Sequence, residues 1–197
     1  MSQLKLSVII PAYNEEKRIV PTLKSIEKYL ENKPYDYEII VVANQCTDNT
    51  EGVVKEYMKT VENLKLMNLE NHCTGKGEAV KKGVEKAQGE YIMFMDADNA
   101  TRIDEIDKFW PYFKQGYDVV IGSRQVKGAN IVIEQPWYRR FLGRAANFLI
   151  QLILLRGIKD TQCGFKMFAY KAAKEVFAKS QIIGWGFDME ILAIARS

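Results

Sequence analysis

Short apolar runs alternate with stretches of helical spacing along most of this chain. Leu6-Ser7-Val8-Ile9-Ile10 is a near-continuous apolar run stopped at Pro11, the pattern of a strand buried on both faces. From Glu15 to Leu30, Ile19, Leu23, Ile26 and Leu30 recur at helical spacing behind an acidic first turn, which predicts a helix. Glu38–Val42 predicts a second buried strand and the residues from Asp48 to Lys59 a helix; Leu64–Leu69 and Gly77–Ala87 repeat that pair. Tyr91–Met95, Asp104–Lys114 and Val119–Ile121 predict a fourth strand, a helix and a fifth strand, and Asp188–Arg196 reads as a helix near the end of the sequence. Apolar strands alternating with helices predict an α/β fold whose mostly parallel central sheet is flanked by helices on both faces. No internal repeat, low-complexity segment or Gly/Ser linker divides it, so a single domain over 1–197 is expected.

Ligands of such sheets bind where the strands end at their carboxyl side. Those ends carry Pro11-Ala12-Tyr13-Asn14-Glu15, Ala43-Asn44-Gln45, Asp96-Ala97-Asp98 and Gly122-Ser123-Arg124. The last three sets are polar or charged where apolar strands stop, as a site requires.

Composition narrows the function classes. The chain has 197 residues, 47% of them apolar and 27% charged, enough for one domain with its own core. A formal charge of +3 marks neither a nucleic-acid binder nor a disordered tail. The charge is unevenly spread: residues 1–121 carry 16 basic and 20 acidic side chains, residues 122–197 carry 12 and 5. That division points to an anionic partner for the second part. Cys46, Cys73 and Cys163 are an odd set without CxxC spacing and, with His72, make a poor zinc site; reduced cytosolic thiols fit better. The N-terminus shows no signal-peptide pattern. The longest apolar stretch, Phe141–Leu155, is interrupted by Arg144, Asn147 and Gln151 and falls short of the about 20 apolar residues a bilayer span needs.

The candidate chemistry gathers in three places. Asp96 and Asp98, at i and i+2 after a buried strand, can project to one side, and two such carboxylates repel unless a cation lies between them. Mg²⁺ or Mn²⁺, with phosphate oxygens completing the shell, is the natural partner. Thr74-Gly75-Lys76-Gly77-Glu78 opens a helix, where glycines let backbone N–H groups approach an anion and Lys76 adds charge. Arg124, Arg139, Arg140 and Arg144 suit a phosphate clamp, or a helix resting on anionic lipid, or the solvated face of an amphipathic helix. Asp160–Lys166 and Gly184–Glu190 read as loops next to a site.

With these residues assembled, the chain resembles family 2 glycosyltransferases of the GT-A fold, in particular the dolichyl-phosphate glucosyltransferase and mannosyltransferase group. The resemblance runs through Val8–Glu15, Gly75-Lys76-Gly77, Asp96-Ala97-Asp98, Gly122-Ser123-Arg124, Asp160–Lys166 and Trp185–Glu190, and the last two lean towards the glucosyl branch. It implies a Rossmann-like nucleotide-sugar-binding part over 1–121 and an acceptor-binding part over 122–197. A nucleoside-diphosphate sugar would lie against Pro11, Ala12, Tyr13, Glu15 and Asn44, with Lys76 nearby. Asp96 would contact the ribose or the metal shell, and Asp98 would hold the Mg²⁺ or Mn²⁺ bridging the diphosphate. Arg124 and one of Arg139 and Arg140 would hold donor and acceptor phosphates, and Asp188 or Glu190 would act as base or position the acceptor. The activity implied is inverting transfer of a hexose, glucose from UDP-glucose, to a polyprenyl or dolichyl phosphate at the cytosolic face of a membrane, with peripheral membrane contact and no nucleic acid. A homo-oligomer stays open. GDP-mannose as donor, a saccharide hydroxyl as acceptor, and a weakly catalytic nucleotide-sugar-binding module are the alternatives. Where the family shows Asp-Asp-Gly-Ser after the second strand, this chain has Ala43-Asn44-Gln45-Cys46, and Asn44 still offers both a donor and an acceptor. The Asp188–Arg196 helix is followed in relatives by more sheet, acceptor-site residues and often membrane helices.

Overall fold

The computed structural model describes residues 4–69, 75–123, 157–158 and 160–197. In chain order the elements are β1 (Leu6–Ala12), α1 (Ile19–Leu30), β2 (Tyr37–Asn44), α2 (Thr50–Met58), β3 (Leu64–Leu69), α3 (Lys76–Lys86) and β4 (Tyr91–Phe94). A 3-10 turn at Ile103–Lys108, α4 (Trp110–Lys114), β5 (Val119–Ile121), β6 (Lys166–Ala169), α5 (Tyr170–Lys179) and α6 (Phe187–Arg196) follow. One six-stranded sheet runs in the order β3-β2-β1-β4-β6-β5. The four strands from β3 to β4 are parallel, and β6 pairs antiparallel with both β4 and β5.

The alternation of side chains along the strands divides the core in two. Val8, Ile10, Ile39, Val41 and Met93 face α1, α2 and the 3-10 turn, meeting Leu23, Ile26, Val54 and Ile106. Ile9, Ile40, Val42, Ile92 and Phe94 face α3, α5 and α6, meeting Val80, Val84, Phe177, Phe187 and Ile191. Both faces of the sheet are therefore covered, which is why its strands read as continuous apolar runs rather than alternating ones.

Three local features depart from the sequence reading. The first helix begins at Ile19 instead of Glu15, because the Glu15 and Glu16 amides are drawn across to Thr50 Oγ1 (2.8 Å) and Asp48 Oδ2 (3.1 Å) of the neighbouring loop. The helix expected over Asp104–Lys114 is a 3-10 turn and a short α-helix, divided at Phe109–Trp110 where Pro111 enters the first turn of α4. Lys166, expected at the end of a loop, opens β6, with α5 directly behind it.

Candidate functional site

The carboxyl ends of β1, β2 and β4 converge. Pro11 sits where the β1–β4 ladder has already ended, so its missing N–H leaves no gap there. Beyond it Ala12 is buried, Tyr13 is exposed, and Asn14 takes a left-handed φ of 54°. The Asn14 side chain ties the β1 loop to the β2 loop: its Oδ1 accepts from the Thr47 amide at 2.7 Å and its Nδ2 donates to Thr47 Oγ1 at 3.0 Å. Glu15 lies in the same corner, ion-paired to Arg18 at 2.6 Å. Burial raises the Glu15 pKa against the pull of Arg18, and the negative charges of Asp98 and Asp48 add to the rise. Glu15 and Asp98, from the ends of two strands, therefore share one field.

Asn44 closes β2 at 9% exposure. Its Nδ2 donates to the Gly75 carbonyl at 3.2 Å, while its Oδ1 is buried without a hydrogen-bond partner. An unsatisfied buried acceptor is costly in a folded protein, and its lone pairs are left for a donor that the chain itself does not supply.

The Asp96-Ala97-Asp98 turn extends β4, with the Met95 amide still bonded to the Ile9 carbonyl at 3.0 Å. Ala97 is buried between the two acids, and its carbonyl accepts from Thr22 Oγ1 of α1 at 2.7 Å. Asp96 is half-buried and Asp98 exposed, so the inward Ala97 leaves both carboxylates on the outer side of the turn. Asp98 Oδ1 accepts from the Ala100 amide at 3.0 Å, and Asn99 between them holds a φ of 56°.

Lys76, the first residue of α3, reaches Asp96 Oδ1 at 2.5 Å, and its Nζ lies 5.5 Å from the ring centre of Trp185, which is 77% exposed. The glycines beside it do not form the open anion cradle their spacing suggests. The Ile183 carbonyl occupies that end of α3, accepting from the Glu78 amide at 3.2 Å, and a Cβ on Gly75 would collide with it. Gly75 serves close approach of the 182–184 backbone.

Asp188 and Glu190 have separate surroundings. Asp188 is 3% exposed and hydrogen-bonds Lys166, itself fully buried. Burial pushes the Lys166 ammonium down and the Asp188 carboxyl up, and their mutual attraction opposes both shifts. Lys76 and Asp96 also act on Asp188, so four charges of alternating sign form one cluster. Glu190 accepts from the Ser180 hydroxyl (2.8 Å) and the Gln181 (2.9 Å) and Ile182 (2.8 Å) amides. Partial burial works to raise its pKa, but these donors outweigh it and hold the carboxyl below the usual glutamate range. A carboxylate engaged in that way caps a loop and has little basicity to offer as a proton acceptor.

Pro11, Ala12, Tyr13, Glu15, Asn44, Lys76, Asp96 and Asp98 thus come to one end of the sheet, with Asp188 behind Asp96. Arg124, Arg139, Arg140 and Arg144 lie outside the described residues, as does the stretch Phe141–Leu155. Gly164 and Trp185 sit in the two segments expected beside the site, but nothing in their spacing singled them out. Gly164 lies so close to the Asp96 carboxylate that a Cβ there would overlap it. Among the described residues no three His, Cys, Asp or Glu side chains group to hold a metal ion. Two hard oxygen donors, Asp96 and Asp98, fit a Mg²⁺- or Mn²⁺-type cation only if other oxygens complete its shell, which a diphosphate can supply. No helix among the described residues is long and apolar enough to cross a membrane.

A mixed α/β sheet whose parallel strands end in paired acids after β4 is the architecture of the GT-A type of nucleotide-sugar transferase, and solved structures of that type share it. The chain superposes on glucosyl-3-phosphoglycerate synthase from Mycobacterium tuberculosis, solved in complex with Mn²⁺, uridine diphosphate and phosphoglyceric acid, with a TM-score of 0.64 at 20% identity, covering 96% of this chain and 63% of that one. The profile of Glycosyl transferase family 2 matches residues 7–177, and the chain belongs to that family. It is 38% identical to dolichyl-phosphate beta-glucosyltransferase ALG5D of Trichomonas vaginalis over 98% of this chain and 62% of the relative. It is 36% identical to dolichyl-phosphate beta-glucosyltransferase of Drosophila melanogaster over 98% of this chain and 63% of the relative. The chain therefore spans somewhat under two thirds of the length of these curated relatives.

Proposed function

We propose that the chain transfers glucose from UDP-glucose, with inversion, to a dolichyl or other polyprenyl phosphate at the cytosolic face of a membrane. The observation that carries this reading is the convergence of Asp96, Asp98, Glu15, Asn44 and Lys76 at one end of the sheet, in a family 2 chain similar to proteins named dolichyl-phosphate beta-glucosyltransferase.

In this reading the nucleotide lies along Pro11–Glu15, and the buried, unpartnered Oδ1 of Asn44 accepts a hydrogen bond from the base. Asp98, with Asp96 beside it, would hold a Mg²⁺ or Mn²⁺ ion at this end of the sheet. When bound, the cation neutralises negative charge building on the leaving diphosphate. Lys76 contributes a fixed positive charge at the same oxygens, and Arg124 with Arg139 or Arg140 orients the phosphates of donor and acceptor. The attacking group needs no strong base: a phosphate monoester has a second pKa of roughly 6, so it is largely a dianion at pH 7. Asp188 then serves by shaping the field behind Asp96, and Glu190 by holding the loop that carries Trp185.

The test is transfer itself. Incubation with labelled UDP-glucose, Mn²⁺ and a short polyprenyl phosphate is expected to give labelled lipid, with GDP-mannose a poor donor. UDP binding without any product would overturn the transfer reading in favour of a nucleotide-sugar-binding module.

A further inference from the structure

Lys166 is fully buried, and an ammonium is kept in such a place only when its donors are used. Its Nζ donates to the Cys163 carbonyl at 2.7 Å and to Asp188 Oδ1, and lies 5.3 Å from the ring centre of Phe94. In the β4–β6 ladder Lys166 stands opposite Phe94, two residues before Asp96. The turn it holds through Cys163 ends in Gly164, whose Cα lies against the Asp96 carboxylate; a Cβ would overlap both oxygens and their carbon. The same carboxylate is ion-paired through Oδ1 to Lys76 at 2.5 Å. Asp96 is therefore gripped between α3 and a turn whose carbonyl is pinned from inside the core.

An apolar side chain would fill the same volume without the desolvation cost of a charge, and buried ion pairs are often replaceable by apolar residues without loss of stability. Lys166 thus has more to do than fill space: its two acceptors both lead to the site, one through Gly164 to Asp96 and one through Asp188 to the first turn of α6. We propose that Lys166 is a positioning residue of the donor site, fixing the seat on which the Asp96 carboxylate lies. The role rests on the reading of Asp96 as a donor-site carboxylate. It places the segment from Cys163 to Lys166, which touches the outer surface little, in the machinery that orients the acid.

The experiment uses the full chain with ¹³C-carboxyl-labelled aspartate, followed by NMR, together with calorimetric binding of UDP in the presence of Mn²⁺. Lys166→Met and Gly164→Ala reach Asp96 by different routes. Both are expected to move the Asp96 carboxyl signal in ligand-free protein, to leave that of Asp98 in place, and to weaken Mn²⁺-dependent UDP binding about tenfold. If Lys166→Met does not fold, the double variant Lys166→Met/Asp188→Asn is read against Asp188→Asn alone, because Asp188 also acts on Asp96. The difference between them then takes the place of the single variant's shift. An unmoved Asp96 signal in the folded lysine variant overturns the proposal, even if Gly164→Ala shifts it. A moved signal with unchanged affinity overturns it too, since Lys166 would then support only the fold. Wild-type protein that binds no UDP with Mn²⁺ refutes the donor-site reading instead, a distinct result because the Asp96 signal still reports on its seat.

Discussion

At the scale of single residues, the two acids after β4 differ in ways the sequence spacing did not reveal. Asp96 is gripped by Lys76 and Gly164, whereas Asp98 is exposed and uses one oxygen on the Ala100 amide. Asp98 is thus the carboxylate with least structural work and the most to give a cation. Asp98→Asn keeps the acceptor for Ala100 and removes the charge. It is expected to abolish Mn²⁺-dependent UDP binding while shifting the melting temperature by roughly 2 °C or less, as for exposed substitutions generally. Calorimetric titration and a thermal melt of the same sample check both halves, and unchanged affinity removes Asp98 from the metal shell. The pair itself was legible because two aspartates ending a buried run are anomalous in a core pattern. The Lys76–Asp96 contact was not, since the two residues are 20 positions apart and meet only because β4 lies beside β1, on which α3 packs. Nor was the spare oxygen of Asn44, which follows from the Gly75 carbonyl taking its amide hydrogen.

At the scale of elements, the parallel part of the sheet and the edge strand β5 were readable, and β6 between them was not. Runs such as Leu6–Ile10 and Glu38–Val42 are almost wholly apolar because helices cover both faces, and their two polar residues, Ser7 and Glu38, hydrogen-bond each other. β6 escapes the same reading because it is four residues long and begins with a buried lysine, whose burial depends on the distant Asp188. α5 shows its inward face in only three buried positions, Ala173, Val176 and Phe177, too few to stand out against three lysines and a glutamate. The loop between α5 and α6 is the clearest case of an element made by tertiary contacts. It takes its shape from Glu190, which accepts three hydrogen bonds from Ser180, Gln181 and Ile182, and from Lys81, which donates to the Ser180 carbonyl at 2.7 Å. Glu190→Gln keeps the size of the side chain but sets an amide against backbone N–H donors. It is expected to destabilise the protein by about 1–2 kcal/mol at pH 7, measured by urea unfolding. The folded-state pKa of Glu190 is depressed, so its contribution is present above the unfolded glutamate value and is lost as pH falls through the folded one. The gap between wild type and variant should therefore narrow on acidification below about pH 4. A gap independent of pH would mean that the charge of Glu190 does not hold the loop.

At the scale of the whole molecule, the unequal charge of the two parts acquires a geometry on one side and a prediction on the other. The acidic excess of residues 1–121 includes Glu15, Asp96 and Asp98 at the end of the sheet, where a cationic partner lowers their mutual repulsion. The basic excess of residues 122–197 includes Arg139 and Arg140, whose guanidinium groups suit a phosphate better than a lysine would. If the donor is held by the acidic end and the acceptor by the basic part, the two substrates should be separable by mutation. Arg139→Ala and Arg140→Ala are therefore expected to differ from Asp98→Asn in kind. One of the two should raise KM for polyprenyl phosphate about tenfold, the loss expected for a charge-assisted hydrogen bond to phosphate, with KM for UDP-glucose little changed. The measurement is steady-state kinetics with each substrate varied against saturating levels of the other. If both arginine variants leave acceptor kinetics untouched, the positive charge of this part belongs to a solvated helix face, and the phosphate must be recognised elsewhere. If either raises both KM values together, donor and acceptor phosphates share one guanidinium, and the division of the chain into a donor part and an acceptor part fails at that residue.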